Sequence, residues 1–361
     1  MTYKQKIKKI LDRSKEVIKD CVLENGAIVA ANTDEPYVPR EAKDYRYVWP
    51  RDAAFICKAA NLLGMKITEP YLDWLYKRPE DFKKDKILYS NYSTNGRIGP
   101  NGKTCQIDQM GASLWLICDY YKKEPNKAFK YKDLIERLAN GICEQWEGRY
   151  FHVNVIDLWE EAKRKTSTKV ENNHTYSLAA CAKGLICANE LKHNHLWQKC
   201  AMEMINEIDE AYDKKNKYFL RTAGKINDYN IDASMLGLAY PFEIIDVKDK
   251  RMKNTVDRIE KKLTINGGIH RYRFDYYDGE GSASEGGGGW PLINCWMAIY
   301  WVLAGDKKKA RKYYDWVINN VEKFNYYIPE QIFDDFRIGI YPLAWAHAMF
   351  VIASKYLGYL K

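Results

Sequence analysis

No apolar run in this 361-residue chain reaches the ~20 residues that span a bilayer, and the opening MTYKQKIKKILDRSKEVIKD has no apolar signal core. A cytoplasmic protein without a membrane partner is therefore expected, and the NYS and NHT triplets lose any glycosylation meaning. Cysteine is present but unorganised. Nine residues, an odd number, sit mostly in apolar stretches such as AAFICKAANLL and SLAACAKGLICA, with no CxxC pair and no Cys/His zinc spacing. That pattern excludes a disulfide scaffold and leaves reduced core thiols. The glycine run Gly286–Gly289 lacks the Lys-Ser/Thr of a P-loop and the spacing of a dinucleotide fingerprint, so it reads as a flexible or close-packed loop. A long basic run is also missing. The formal charge is +9, yet stretches such as DKRMKNTVDRIEKKL mix both signs, which describes solvated helix faces and not a nucleic-acid footprint.

Aromatic side chains, by contrast, are abundant: 28 Tyr and 11 Trp. They combine large apolar area with a polar handle, the combination that sugar-binding surfaces use. Hydrophobic periodicity predicts helices near 4–20, 52–64, 69–84, 108–122, 127–146, 175–191, 194–213, 231–239, 248–263, 290–304, 306–323 and 342–358. Even-numbered segments, such as QMGASLWLICDYY and WPLINCWMAIYWVLAG, are apolar nearly all round; odd ones, such as KKARKYYDWVINNVEKF, carry one apolar and one charged face. Helices of the first kind must be buried and helices of the second kind must cover them. An inner ring of six wrapped by an outer six satisfies both demands, so the chain is expected to be an all-α (α/α)6 barrel, one domain over 1–361. No sequence signature recurs at a fixed period, which argues against a solenoid.

Polar clusters precede the buried segments: DYRYVWPRD, KTCQIDQ, DLWEE with NNHTYS, DYNID, IHRYRFDYYDGEGSASEGGGGWP and YYIPEQIFDD. If the inner helices run one way, these loops converge on one face and wall a single pocket. Its wall would contain Trp49, Arg51, Asp52, Asp108, Trp159, Glu160, Glu161, Arg271, Trp290, Glu330 and Trp345. Indoles stack on the C–H face of a sugar ring while Arg and Asp grip hydroxyls. Each motif also has a plainer reading. VIDLWEEAKR is equally a capped helix start with Asp157 as N-cap; WPRD is a helix start with Pro at N1 and a surface ion pair. QID is an N-terminal cap. His193 and His195 form a solvated H-x-H, and His174 and His347 lack ligand spacing, so no metal is expected.

Cleaving a glycosidic bond requires a carboxylic acid to protonate the leaving oxygen and a carboxylate on the other side of the ring. Glu160, beside Trp159 and Glu161, would be kept protonated by desolvation and like charge, which suits a general acid. Glu330, followed by Gln331, suits a general base acting on water.

The motifs YRYVWPRDAAF, QIDQMGASLW, DLWEE, GIHRY with GGWPL, and PEQ with PLAWAHA occur in order along nearly the whole chain. In this the sequence resembles the glucoamylase family of glycoside hydrolases, family 15, which includes glucoamylases, glucodextranases and some microbial trehalases. The resemblance implies an (α/α)6 barrel and inverting, exo-acting attack on α-glucosides, without a cofactor. It implies Glu160 as acid, Glu330 as base, and Tyr45 and Gln331 as holders of the water. Trp49, Arg51, Asp52, Trp159, Glu161, Arg271 and Trp345 would line the first sugar subsite, with Trp290 farther out. Malto- or isomalto-oligosaccharides are the expected substrates; the alternatives are trehalose, or a non-catalytic carbohydrate-binding barrel. Three departures stand out. A β-sandwich or starch-binding domain has no room, which leaves a second copy or a partner subunit to take its place. Gly102 stands where fungal glucoamylases have a tryptophan before Q-x-D. The segment 162–173 is long and basic.

Overall fold

A computed structural model describes residues 1–40, 43–161, 166, 169–275, 287–334 and 339–360. In chain order its helices are α1 (Tyr3–Asp20), α2 (Pro50–Leu62), α3 (Thr68–Lys77), the one-turn α4 (Phe82–Asp85), α5 (Asp108–Tyr121) and α6 (Lys132–Gln145). There follow α7 (Thr175–Leu191), α8 (His195–Glu210), a 3-10 helix at Ala233–Leu238, α9 (Lys250–Leu263), α10 (Pro291–Leu303), α11 (Lys307–Asn320) and α12 (Ala344–Tyr356).

The apolar segments form a closed ring. In it α2 packs on α5, α5 on α7, α7 on the 3-10 helix, that helix on α10, α10 on α12, and α12 returns to α2. Outside, α3 covers α2, α6 covers α5 and α7, α8 covers α7, α9 covers the 3-10 helix, α11 covers α10 and α1 covers α12. The fold is the all-α (α/α)6 barrel. Burial follows from sequence: eleven of the thirteen residues of α10 are buried, whereas α9 buries Met252, Thr255, Val256, Ile259 and Leu263 along one stripe and leaves its lysines in water. All nine cysteines are free thiols, eight of them buried.

Helices α5 and α7 touch through their backbones. A Cβ on Gly111 would stand 2.2 Å from the Ala180 carbonyl oxygen, and Gly184 faces Gly111 at similarly short range. Only glycine permits that approach.

Three of the expected helices are altered, the one over 127–146 opening as a 3-10 helix (Pro125–Tyr131) before α6. The segment expected over 69–84 stops at Lys77, with Arg78 as its C-cap, because Pro79 lacks the N–H that would continue the ladder. The segment expected over 231–239 is a 3-10 turn capped by Asp232, whose side chain accepts from the Ser234 N–H, and Pro241 follows it. Among the described residues three two-stranded antiparallel ribbons occur: β1 (Asn172–His174) with β4 (Thr222–Gly224), β2 (Tyr212–Asp213) with β3 (Tyr218–Phe219), and β5 (Thr264–Ile265) with β6 (Gly268–Ile269). In the last, Ile265 pairs with Gly268 across Asn266 (φ 49°) and Gly267 (φ 85°). Two left-handed residues make the tight turn that such a hairpin requires. No helix among the described residues is long and apolar enough to cross a membrane.

Candidate active site

Two inner helices begin alike. Trp49 and Trp290 are the N-caps of α2 and α10 with extended backbones (φ/ψ −100°/113° and −99°/111°), each followed by proline at the first helical position. Neither indole caps its helix, so both rings are available to build a wall. With Trp159 and Trp345 they surround a pocket of about 250 Å³, close to the lower end of the ~300–1,000 Å³ usual for ligand sites. The pocket is lined by Tyr45, Trp49, Arg51, Asp52, Trp159, Glu160, Arg271, Trp290, Glu330 and Trp345 from the expected set. Ala30, Asn101, Leu158 and Leu343 complete it. Asp108, Glu161 and Gln331 do not line it.

Arg51 organises the floor. Its Nη2 and Nε donate to Asp52 Oδ1 at 2.8 and 3.1 Å and its Nη1 to the Leu158 carbonyl at 3.3 Å, while the guanidinium carbon lies 4.9 Å from the centre of the Trp345 ring. The Arg51–Asp52 pair is therefore buried, not a surface pair. Asp108, expected to bind substrate, is fully buried instead, 3.7 Å from Arg51 Nη1. Burial lifts its carboxyl to about 6 against the pull of Arg51.

Residues 157–161 form a turn, and none of these five is helical. The N–H of Glu160 donates to the Asp157 carbonyl (3.1 Å) and that of Glu161 to Asp157 Oδ1 (3.0 Å), while Gln106 Nε2 holds the same carbonyl from outside. Glu160 takes φ +62°, a left-handed backbone that L residues adopt only under constraint. The twist separates the two glutamates. Glu160 enters the pocket, where Trp49 Nε1 (2.5 Å) and Ser90 Oγ (2.8 Å) donate to Oε1 and Asn101 Nδ2 (2.8 Å) donates to Oε2. Its carboxyl is pushed up by burial, an effect that Arg51 opposes most.

Glu161 turns the other way and accepts from the Tyr272 hydroxyl. Burial, with Asp157 adding to it, raises Glu161 to about 8, and burial raises Asp157 to about 7. Trp159 is fixed from behind: its Nε1 donates to both oxygens of Asp232 (3.0 and 3.2 Å), which also accepts from Arg221 Nη1 (3.0 Å). Arg271 forms a two-point pair with Asp275 (2.5 and 2.7 Å) and stands 4.8 Å over the Trp290 ring. Gln331, expected at the water, is buried and accepts the Gly288 N–H (2.9 Å), next to the bridge between Ile332 and Gly289. It fixes the segment that carries Glu330.

His174 is a buried structural residue, bonded to Thr222 Oγ1 and the Val155 carbonyl and held at about 4 by burial. His347 is likewise buried, against Ser14 and the Ile328 N–H. Gly286 and residues 162–165 and 167–168 of the basic segment lie outside the described residues. Ser90, Asn101 and Arg221 are neighbours of the site that no local motif marked, because each acts through a partner remote in sequence, whereas Asp232 closes the DYNID cluster without having been singled out.

Residues 22–330 match the sequence profile of glycosyl hydrolases family 15. An uncharacterised glycosyl hydrolase of Methanocaldococcus jannaschii is 30% identical over 91% of this chain and 52% of its own length. Trehalase 2 of Sulfolobus acidocaldarius is 26% identical over 83% of this chain and 54% of its length. An isomaltose glucohydrolase of Kribbella flavida is 20% identical over 90% and 88%. The chain thus spans about half the length of the first two. Among solved structures, a wild-type glycosidase superposes with a TM-score of 0.81 at 19% identity over 100% of both chains.

Proposed function

Since the chain belongs to glycosyl hydrolases family 15, we propose that its pocket hydrolyses the α-glucosidic bond of a short gluco-oligosaccharide at the non-reducing end, with inversion. The observation that carries this reading is the entry of Glu160 and Glu330, from segments far apart in sequence, into one tryptophan-walled pocket.

Glu160 is the general acid. Burial favours its protonated form, and the neighbouring donors stabilise the carboxylate left once the proton moves to the glycosidic oxygen. As the C1–O bond breaks, a water adds to C1 from the opposite face and gives its proton to Glu330, so the product is β-glucose. This route needs the two carboxyl groups roughly 6.5–9.5 Å apart. Arg51 and Asp52 grip hydroxyls at the closed end, and the indoles of Trp49, Trp159, Trp290 and Trp345 face the ring. Tyr45 helps hold the attacking water, and Gln331 fixes the segment bearing Glu330.

A pocket of this size holds the terminal glucosyl unit. Trehalose is the second reading, favoured by the likeness to Trehalase 2; isomaltose is favoured by the likeness to the Kribbella enzyme, which matches nearly end to end. Proton NMR of the sugar released from maltose, isomaltose and trehalose tests the proposal. From maltose or isomaltose β-glucose should appear first, or from trehalose α- and β-glucose in equal amounts, and the release should be lost in Glu330→Gln. α-Glucose first from maltose or isomaltose, or α-glucose alone from trehalose, would mean retention, and binding without release would mean a carbohydrate-binding barrel.

A further inference from the structure

Asn101 belongs to none of the expected site motifs, yet it touches the carboxyl group on which the reaction turns. Its Nδ2 stands 2.8 Å from Glu160 Oε2 and 2.9 Å from Ser90 Oγ, and Ser90 Oγ donates in turn to Glu160 Oε1 at 2.8 Å. The three side chains form a triangle in which one amide donates to both of its neighbours. The loop holds Asn101 in place. Its carbonyl accepts from the Thr104 hydroxyl at 2.6 Å, Gly102 follows at φ +62°, and a Cβ on Gly99 would meet Asn91 Oδ1 at 2.2 Å. Asn101 sits on the pocket lining next to Gly102, the position at which the sequence departs from fungal glucoamylases.

We propose that Asn101 is a positioning residue of the reaction, holding Glu160 Oε2 and stabilising the carboxylate that forms there as the proton passes to the leaving oxygen. The inference rests on the reading of Glu160 as general acid. Negative charge on Glu160 grows from the bound state to the transition state, so a donor aimed at it binds the transition state more strongly than the substrate. Trp49 and Ser90 do this for Oε1; Asn101 does it for Oε2. The same contact sets the strength of the acid. Removing a donor to the carboxylate makes the proton harder to give up, and burial then acts with less opposition.

The test compares wild type with Asn101→Leu on two leaving groups. One is the disaccharide that wild type cleaves best; the other is 2,4-dinitrophenyl α-glucoside, whose phenolate departs without a proton. For the disaccharide, kcat should fall roughly tenfold with KM little changed, and the alkaline limb of the pH profile should move up by about one unit. For the dinitrophenyl glucoside, kcat should stay within about twofold. Equal losses on both substrates, or an unmoved alkaline limb, would overturn the role. Ser90→Ala provides a second route to the same triangle and should show the same split, should Asn101→Leu misfold. If wild type cleaves neither substrate, the hydrolase reading itself fails and the role of Asn101 falls with it, an outcome distinct from an active wild type with an indifferent variant.

Discussion

Trp49 and Trp290 stand in the same place on two helices that flank α12: each is an N-cap with an extended backbone, each precedes a proline, and each turns its ring into the pocket. Trp345, in the first turn of α12, lies on the helix between them. The three indoles thus form a continuous arc on consecutive helices of the ring.

That arc carries hydrogen-bond donors as well as faces. The Nε1 atoms of Trp290 and Trp345 are buried and have no hydrogen-bond partner among the described residues. Replacing either tryptophan by phenylalanine removes the donor and keeps most of the apolar face. KM should rise about fivefold for each, the equivalent of ~1 kcal/mol, with kcat nearly constant. Steady-state kinetics on the preferred substrate measures it, and an unchanged KM would mean that the indoles act only as walls.

Arg51 links α2, the 157–161 turn and α12 from a buried position. Arg51→Met leaves Asp52 and Asp108 in the interior without their cation. Breaking a buried pair on one side costs about 3–5 kcal/mol. Urea unfolding should reveal that loss, and a change below about 1 kcal/mol would refute the assignment of Arg51 as the organising charge.

Glu161 and Asp157 give the protein a pH-dependent stability. Their carboxyls sit near 8 and 7 in the fold, against 4.5 and 3.8 in an open chain. Between those limits the folded state binds more protons than the unfolded one, so stability falls as pH rises. The contribution is fully present below about pH 4 and lost by about pH 8. Thermal melts of Glu161→Gln should show a shallower decline over this window than wild type; parallel curves would rule Glu161 out.

Gly111 and Gly102 make a matched pair. Gly111→Ala forces a Cβ into the Ala180 carbonyl and should cost about 1–3 kcal/mol or more by parting α5 from α7. Gly102→Ala meets nothing within 4 Å and carries only the strain of φ +62°, about 1 kcal/mol. Calorimetry should rank them in that order.

The ring is legible in sequence because burial on all sides leaves no polar stripe, and residues such as those of α10 can be read as interior without knowing their neighbours. Pro79 marks the break after Lys77, at a place where hydrophobic periodicity alone carries the helix on to 84. The Asn266-Gly267 pair is a local hairpin signal of the same kind, which a reading for helical periodicity passes over. What sequence does not supply is direction within a turn. Glu160 and Glu161 are adjacent and chemically alike, yet one left-handed residue sends the first into the pocket and the second to Tyr272. Asp108 and Gln331 carry the right chemistry but lie behind the wall, and Asn101 stands in it without any motif; such assignments depend on contacts between remote loops.

The contact of α12 with α2 differs from the others in the ring. Every other inner helix meets its neighbour within a shorter stretch of chain, so those pairings form more locally and earlier. The last one joins the two ends, and the Ala344 N–H donating to the Ala30 carbonyl at 2.9 Å seals it. Chain leaving a ribosome in order would therefore assemble most of the barrel before Trp345 could meet Arg51. Until then the pocket stays open along one side, and the apolar faces of α1, α2 and α10 that α12 covers stay in water.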